Sequence, residues 1–288
     1  MHGTADLAAE LAKARAGKKT IGLVPTMGAL HEGHISLVRL AHQYCDFVVV
    51  SIFVNPLQFG VGEDFDRYPR SLATDAAKLS DEVAPNVDRA ELLFAPGVED
   101  IYPDNNRAIT QHAGEVGELF EGAARPGHFD GMLTVVARLF ELVQPNVAVF
   151  GAKDAQQLHL VRQLAAREYP TLRIIAAPTV RSASGLALSS RNQNLDPESL
   201  ELATALPQAL QAVARAAEAG NRPSHALRVG RTIMANAPTA KLDYLAAVDA
   251  KTFQPIDDSF AGEALLLIAA EVAGTRLIDN LNTTFQEH

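Results

Sequence analysis

Short apolar runs rich in valine and isoleucine alternate with helical patterns through the first 180 residues, and this alternation constrains the fold more than any other feature. Residues 20–24 form an apolar run that meets Pro25. Over 34–44, Ile35, Leu37, Val38, Leu40 and Ala41 recur at helical spacing and share one face. Residues 47–54 are valine-rich and lie between Asp46 and Asn55-Pro56, the pattern of a strand buried on both faces of a parallel sheet. The series continues with a helix over 71–79, a strand over 91–95 and a helix over 130–143 that aligns Met132, Val135, Val136, Leu139, Phe140 and Val143 along one side. A strand over 147–150, a helix over 155–168 and a strand over 172–176 complete it. This order predicts an α/β fold built on a doubly wound, Rossmann-like parallel sheet. Ligands of such sheets lie beyond the carboxyl ends of the strands, and here polar or glycine-bearing segments follow strands at 25–33, 55–66 and 151–157.

The pattern changes near Pro178. After a loop over 181–194, an alanine-rich helix over 197–219 and a second helix over 222–235 precede three β-type runs at 242–248, 264–270 and 276–278. The expected organisation is therefore a nucleotide-binding domain over 1–180 and a smaller α+β domain over 181–288.

Composition narrows the partners. Cys45 is the single cysteine, which rules out an intrachain disulfide or a cysteine-based metal cluster and fits a reduced, cytoplasmic setting. Residues 1–20 hold no apolar run of signal-peptide kind, and the longest apolar stretches fall far short of the ~20 residues that span a bilayer. No membrane partner is expected. A net charge of −9 argues against nucleic acid. An anionic ligand would need positive groups gathered locally.

Five constellations can supply chemistry. In the first, running from Pro25 through Met27 and His31 to Gly33-His34, two histidines flank a glycine where a helix begins. Helix amino termini attract anions, so the histidines can donate to phosphate oxygens; they can equally be capping residues of a turn. Zinc of the helical protease type is excluded, because His31 and His34 are not four residues apart. In the second, Gly151-Ala152-Lys153-Asp154 follows a strand and opens a helix, with Gln157 one turn on. Lys153 is placed for phosphate and Asp154 for a helix cap, although a solvated helix start has the same composition. The third, Leu188-Ser189-Ser190-Arg191-Asn192, joins two hydroxyls to a guanidinium able to grip oxygens in bidentate fashion, in a segment that also suits a plain interdomain connection. The fourth, Arg125-Pro126-Gly127-His128, is a rigid turn ahead of a helix, with a structural or functional role open. The fifth, Asn55-Pro56-Leu57-Gln58-Phe59-Gly60, offers amides to a small polar substrate.

Together, and in this order, these motifs resemble the pantoate–β-alanine ligases, or pantothenate synthetases, of the nucleotidyltransferase superfamily with an HIGH-type motif. The resemblance spans nearly the whole chain. It implies ATP-dependent condensation of pantoate with β-alanine through a pantoyl adenylate, with Mg2+ and a homodimeric enzyme. It also implies the roles of particular residues. His31, His34, Lys153 and Arg191 match the catalytic set. Met27, Gly151, Asp154, Val180, Leu188, Ser189 and Ser190 complete the ATP site, the serines and Arg191 forming a phosphate-binding loop at the domain junction. Gln58, Gln157 and Asn55 match the polar contacts of pantoate, and Pro25, Phe59, Val135, Val136 and Leu139 the apolar wall around its gem-dimethyl group. Arg125 and His128 match positions near the site.

The chain departs from the family pattern at Ala152, Ala155, Ser184 and Leu188. An acidic pair of the second helix is reduced to Thr74-Asp75, which leaves Asp75 as the expected magnesium contact. Two rival functions are a nucleotidyltransferase that adenylylates a phosphate and a nucleotide sensor without catalysis. The first would lack the paired glutamines and the second domain. The second would bind ATP without releasing pyrophosphate when pantoate is present.

Overall fold

The computed structural model describes residues 1–60, 62–63, 65–80, 89–237 and 239–287. Of the polar segment 55–66, Val61 and Asp64 lie outside the described residues. Two units divide the chain: Met1–Ala152 with Gln156–Pro178, and Lys153–Ala155 with Thr179–His288.

The first unit is built on five parallel strands, β1 (Ile21–Thr26), β2 (Phe47–Ile52), β3 (Leu92–Phe94), β4 (Val147–Gly151) and β5 (Arg173–Ala177), in the order β3-β2-β1-β4-β5. Its helices are α1 (Thr4–Ala16), α2 (Glu32–Ala41), α3 (Leu72–Lys78), the single turns α4 (Val98–Ile101) and α5 (Glu121–Ala124), α6 (His128–Val143) and α7 (Ala155–Glu168). Strand side chains alternate between faces. Val24, Val48, Val50 and Val149 pack with Ile35, Val38 and Ala41 of α2, while Phe150 meets Phe140 of α6 on the opposite face, ring centroids 6.4 Å apart. The winding direction reverses between β1 and β4, and the carboxyl ends of both strands lie at that switch point.

The second unit packs α8 (Pro197–Ala203), α9 (Ala205–Glu218) and α10 (Pro223–Ala235) with an antiparallel sheet of β6 (Ala240–Asp249), β7 (Gly262–Val272) and β8 (Thr275–Phe285). The single helix expected over 197–219 is two. Pro207 lacks an N–H and its ring crowds the carbonyl one turn back, so the chain breaks at Thr204 and restarts. The run expected at 276–278 is an eleven-residue strand. Asp279 interrupts its apolar pattern, yet it sits in the buried file of β8, 3 % exposed, paired with Arg181.

Candidate active site

Beyond β1 the chain turns through Gly28 (φ 89°) and Ala29 (φ 50°), two successive left-handed residues. Glycine takes this conformation freely and alanine does not, so something must hold the turn. Asp75 does. Fully buried on α3, its carboxylate accepts from the Ala29 and Leu30 N–H groups at 2.9 and 2.8 Å and from Ser71 Oγ at 3.2 Å. Lys78, one turn later, donates to the Leu30 carbonyl at 2.5 Å.

The braced turn delivers His31 to the N-cap of α2. Nδ1 of His31 accepts from the Gly33 N–H (3.1 Å), and Nδ1 of His34 accepts from the His31 N–H (3.3 Å), a reciprocal capping box. A ring nitrogen that accepts carries no proton, so both neutral imidazoles carry theirs on Nε2. The rings lie 4.1 Å apart. The amino end of α2 thus carries two imidazole rings, each with its proton on Nε2, beside its own partial positive charge.

After β2, Asn55 caps the short 3-10 turn Pro56–Gln58 by accepting from the Leu57 N–H at 3.2 Å. Its Nδ2 donates to the Gly131 carbonyl (3.0 Å) and to Gln58 Oε1 (3.1 Å), and Tyr102 Oη donates to its Oδ1 (2.7 Å). Gln58 Nε2 faces Met27 Sδ at 3.0 Å, which joins this group to the turn after β1. Glycine at 131 is required by proximity, because a Cβ there would lie 2.0 Å from the Leu57 carbonyl oxygen. Burial pushes the Tyr102 phenol far above its ordinary value, so it stays protonated.

Arg125 and His128 clamp the same backbone. Arg125 donates to both oxygens of Glu63, to the Gln58 carbonyl (3.3 Å) and to His128 Nε2 (3.1 Å). Since a guanidinium only donates, Nε2 must accept, and the proton on Nδ1 is directed to the Gln58 carbonyl at 2.8 Å. Burial and then the Arg125 charge bring the His128 pKa down from 6.5 to about 4. Burial would raise Glu63, but hydrogen bonds and charge from Arg125 outweigh it and hold the carboxyl below its ordinary range.

Around these groups, Pro25 and Met27 are half-buried, Phe59 stacks edge-on to Phe65 and Tyr68, and Val135, Val136 and Leu139 are buried on α6. Gly151 ends β4, and a Cβ there would meet no described atom within 4 Å. Of the two glutamines on α7, Gln156 is taken up by backbone: it accepts from the Glu121 N–H and donates to the Val116 and Leu119 carbonyls. Gln157 is half-buried.

The remaining residues belong to the second unit. Asn280 Nδ2 donates to the Lys153 carbonyl at 2.7 Å, and Lys153 Nζ lies 3.6 Å from Asp154 Oδ1. The segment expected as a loop is a short hairpin arm. Leu188 N–H donates to the Val180 carbonyl, Arg181 bridges Ala187, and Ser182 N–H donates to the Leu186 carbonyl. Arg181 locks the arm with two bonds to Asp279 (2.6 and 2.8 Å) and others to the Gly185 and Asn280 carbonyls. Ser189 then caps a 3-10 turn, Ser190–Asn194, by accepting from the Arg191 N–H. Ser190 and Arg191 are half-buried on its first turn.

The family described as pantoate-beta-alanine ligase matches residues 1–282. Pantothenate synthetase of Acidothermus cellulolyticus is 52% identical over 276 residues, covering 94% of this chain and 88% of that one. The crystal structure of pantothenate synthetase from Thermus thermophilus superposes with a TM-score of 0.89 at 46% identity, covering 98% of both chains. Pantoate-beta-alanine ligase from Francisella tularensis, solved with beta-gamma ATP and beta-alanine, superposes with a TM-score of 0.78 at 35% identity over 98% of this chain and 96% of that one. The chain belongs to the pantoate–β-alanine ligase family. Its activity is the ATP-dependent condensation of pantoate with β-alanine through a pantoyl adenylate.

Asp75, the expected magnesium contact, braces the turn after β1, with three donors on its two oxygens. The glycine- and serine-bearing stretch after Arg181 is a pinned hairpin and a capped turn. Sequence reasoning also passed over Tyr102 and Glu63. Tyr102 precedes a proline in a segment without periodicity, and Glu63 stands close to other acidic residues, so neither carried a local signal.

Proposed function

We propose that the ligase holds its substrates with the residues that the family resemblance assigns, each in the state set by its local bonding. In the first unit, the Nε2–H groups of His31 and His34 donate to phosphate oxygens of ATP, Gly151 leaves room for the nucleoside, and Met27 lines both substrates. Gln58 and Gln157, supported by Asn55, hold pantoate, whose gem-dimethyl group packs on Pro25, Phe59, Val135, Val136 and Leu139. In the second unit, Lys153 and Arg191 with Ser189 and Ser190 neutralise phosphate charge, and Asp154, Val180 and Leu188 contact the nucleoside. The observation that carries this reading is the His31–His34 capping box at the sheet's switch point, tied through Met27 to Gln58.

A pantoate carboxylate oxygen attacks the α-phosphorus, the bond to the β-phosphate oxygen breaks and pyrophosphate leaves. The β-alanine nitrogen then attacks the acyl carbon, the bond to the AMP oxygen breaks, and the amine proton passes to solvent. No protein nucleophile takes part. The residues named above orient the reactants and offset negative charge as it moves. Magnesium enters with the substrate, as the ATP complex.

The test is exchange of labelled pyrophosphate into ATP. Pantoate alone should support it. Exchange that demanded β-alanine would overturn adenylate formation as a separate first step. We further propose a cytoplasmic homodimer. Sedimentation equilibrium should give twice the 30.8 kDa chain mass, and a monomer at micromolar concentration would refute it.

A further inference from the structure

We infer that Tyr102, through Asn55, fixes the Gln58 carboxamide so that it presents only N–H donors to the substrate, which makes Tyr102 a positioning residue for pantoate. This rests on the reading that Gln58 touches pantoate.

The polarity follows by elimination. A carboxamide has one oxygen that accepts and one nitrogen that donates, and the two ends are interchangeable in shape. At Asn55 the choice is made twice. One end meets the Leu57 N–H, which can only donate, at 3.2 Å, so that end is the oxygen. The other meets the Gly131 carbonyl, which can only accept, at 3.0 Å, so that end is the nitrogen. Tyr102 Oη, 2.7 Å from the oxygen, must therefore be the donor. The second hydrogen on Asn55 Nδ2 points to Gln58 at 3.1 Å, and the Gln58 atom receiving it must be Oε1. Nε2 is left on the side of Met27 Sδ, a weak acceptor at 3.0 Å that a substrate oxygen can replace.

The chain of bonds runs one way, from phenol to Asn55 to Gln58 to the substrate side. Asn55 is 1 % exposed, Tyr102 4 % and Gln58 6 %, so water does not compete along it. The ligand atom selected is an oxygen acting as acceptor, such as a carboxylate oxygen or a hydroxyl lone pair. A carboxamide free to flip would lose that discrimination. In a buried site, removing one member of such a chain leaves the next oriented less tightly.

The test is a double-mutant cycle on steady-state kinetics, with pantoate and ATP varied separately. Tyr102→Phe should raise the KM for pantoate roughly tenfold, the scale of one buried hydrogen bond, and leave the KM for ATP unchanged. Gln58→Ala should raise the pantoate KM at least as much. In the double variant the Tyr102 effect should vanish, because the group it orients is gone. Multiplied losses in the double variant would show that Tyr102 acts elsewhere and would overturn the inference. If Gln58→Ala left the pantoate KM unchanged, the assignment of Gln58 to pantoate would fail instead. Neutron diffraction of the wild-type enzyme gives an answer that needs no variant. Deuterons on the Gln58 atom facing Met27 are expected, and deuterons on the atom facing Asn55 would overturn the proposal.

Discussion

His128 shows how one buried side chain ties stability to pH. Its ring is neutral in the folded protein, with a pKa brought down from 6.5 to about 4. Between those values the unfolded chain binds a proton that the folded chain refuses. The stabilising contribution is therefore complete above about pH 6.5 and is lost as pH falls toward 4, by on the order of 3 kcal/mol. Denaturant unfolding of wild type and His128→Asn across that window should converge as pH falls; parallel curves would show that His128 is not held neutral. Asp75 gives a second test. Asp75→Asn places an NH2 group against backbone N–H donors and should lower stability by about 2 kcal/mol, with weaker ATP binding because His31 follows the loosened turn. Unchanged melting with lost activity would return Asp75 to a ligand role. At this scale the sequence was uneven. His31 and His34 were legible because the motif lies in one stretch of chain. The protonation of their rings was not, because it depends on which nitrogen the backbone engages. Tyr102 meets Asn55 from 47 positions further along the chain, and no local pattern encodes that meeting.

Among elements, α6 matters through the closeness of its first turn to the Leu57–Gln58 backbone. Gly131→Ala would drive a methyl group into the Leu57 carbonyl. A loss of about 1–3 kcal/mol from overpacking is expected, together with a raised pantoate KM as the Gln58 turn shifts; differential scanning calorimetry and kinetics measure both, and a neutral effect would mean the contact relaxes freely. The arm after Val180 is tested through its lock. Arg181→Ala leaves Asp279 buried without its cation, so hydrogen exchange over 182–188 should speed up and stability should fall by about 3 kcal/mol. Equal protection in wild type and variant would show that the turn at Gly185 suffices. The parallel strands were legible from their valine runs and the polar segments after them. The break at Thr204 and the length of β8 were not. Alanine-rich periodicity passes through Pro207 without a flaw, and a buried aspartate in a strand looks like its end until its arginine is known.

For the molecule as a whole, the proposed boundary at 180 can be tried directly. A fragment of residues 1–180 keeps all five parallel strands and is long enough to bury its own core. It should melt cooperatively, yet form no adenylate, because Arg191 is missing and Lys153 loses the Asn280 bond that holds its carbonyl. A fragment that fails to fold would show that the first unit depends on the rest of the chain. The net charge of −9 sets a further condition, since both ATP and pantoate are anions. Their attraction must come from groups a few ångströms away, and the histidines at α2 are proposed to be among them.

Those histidines also limit how the chain can change. One nitrogen of His31 serves the backbone, while the other bears the proton proposed for phosphate. Asparagine, aspartate, serine or threonine at this position would keep the cap and lose the reach; glutamine or lysine would keep some reach and lose the cap. No single replacement inherits both duties, so mutational drift at position 31 meets two independent barriers. His31→Asn separates them in the laboratory, since it preserves the helix start while removing the distal donor.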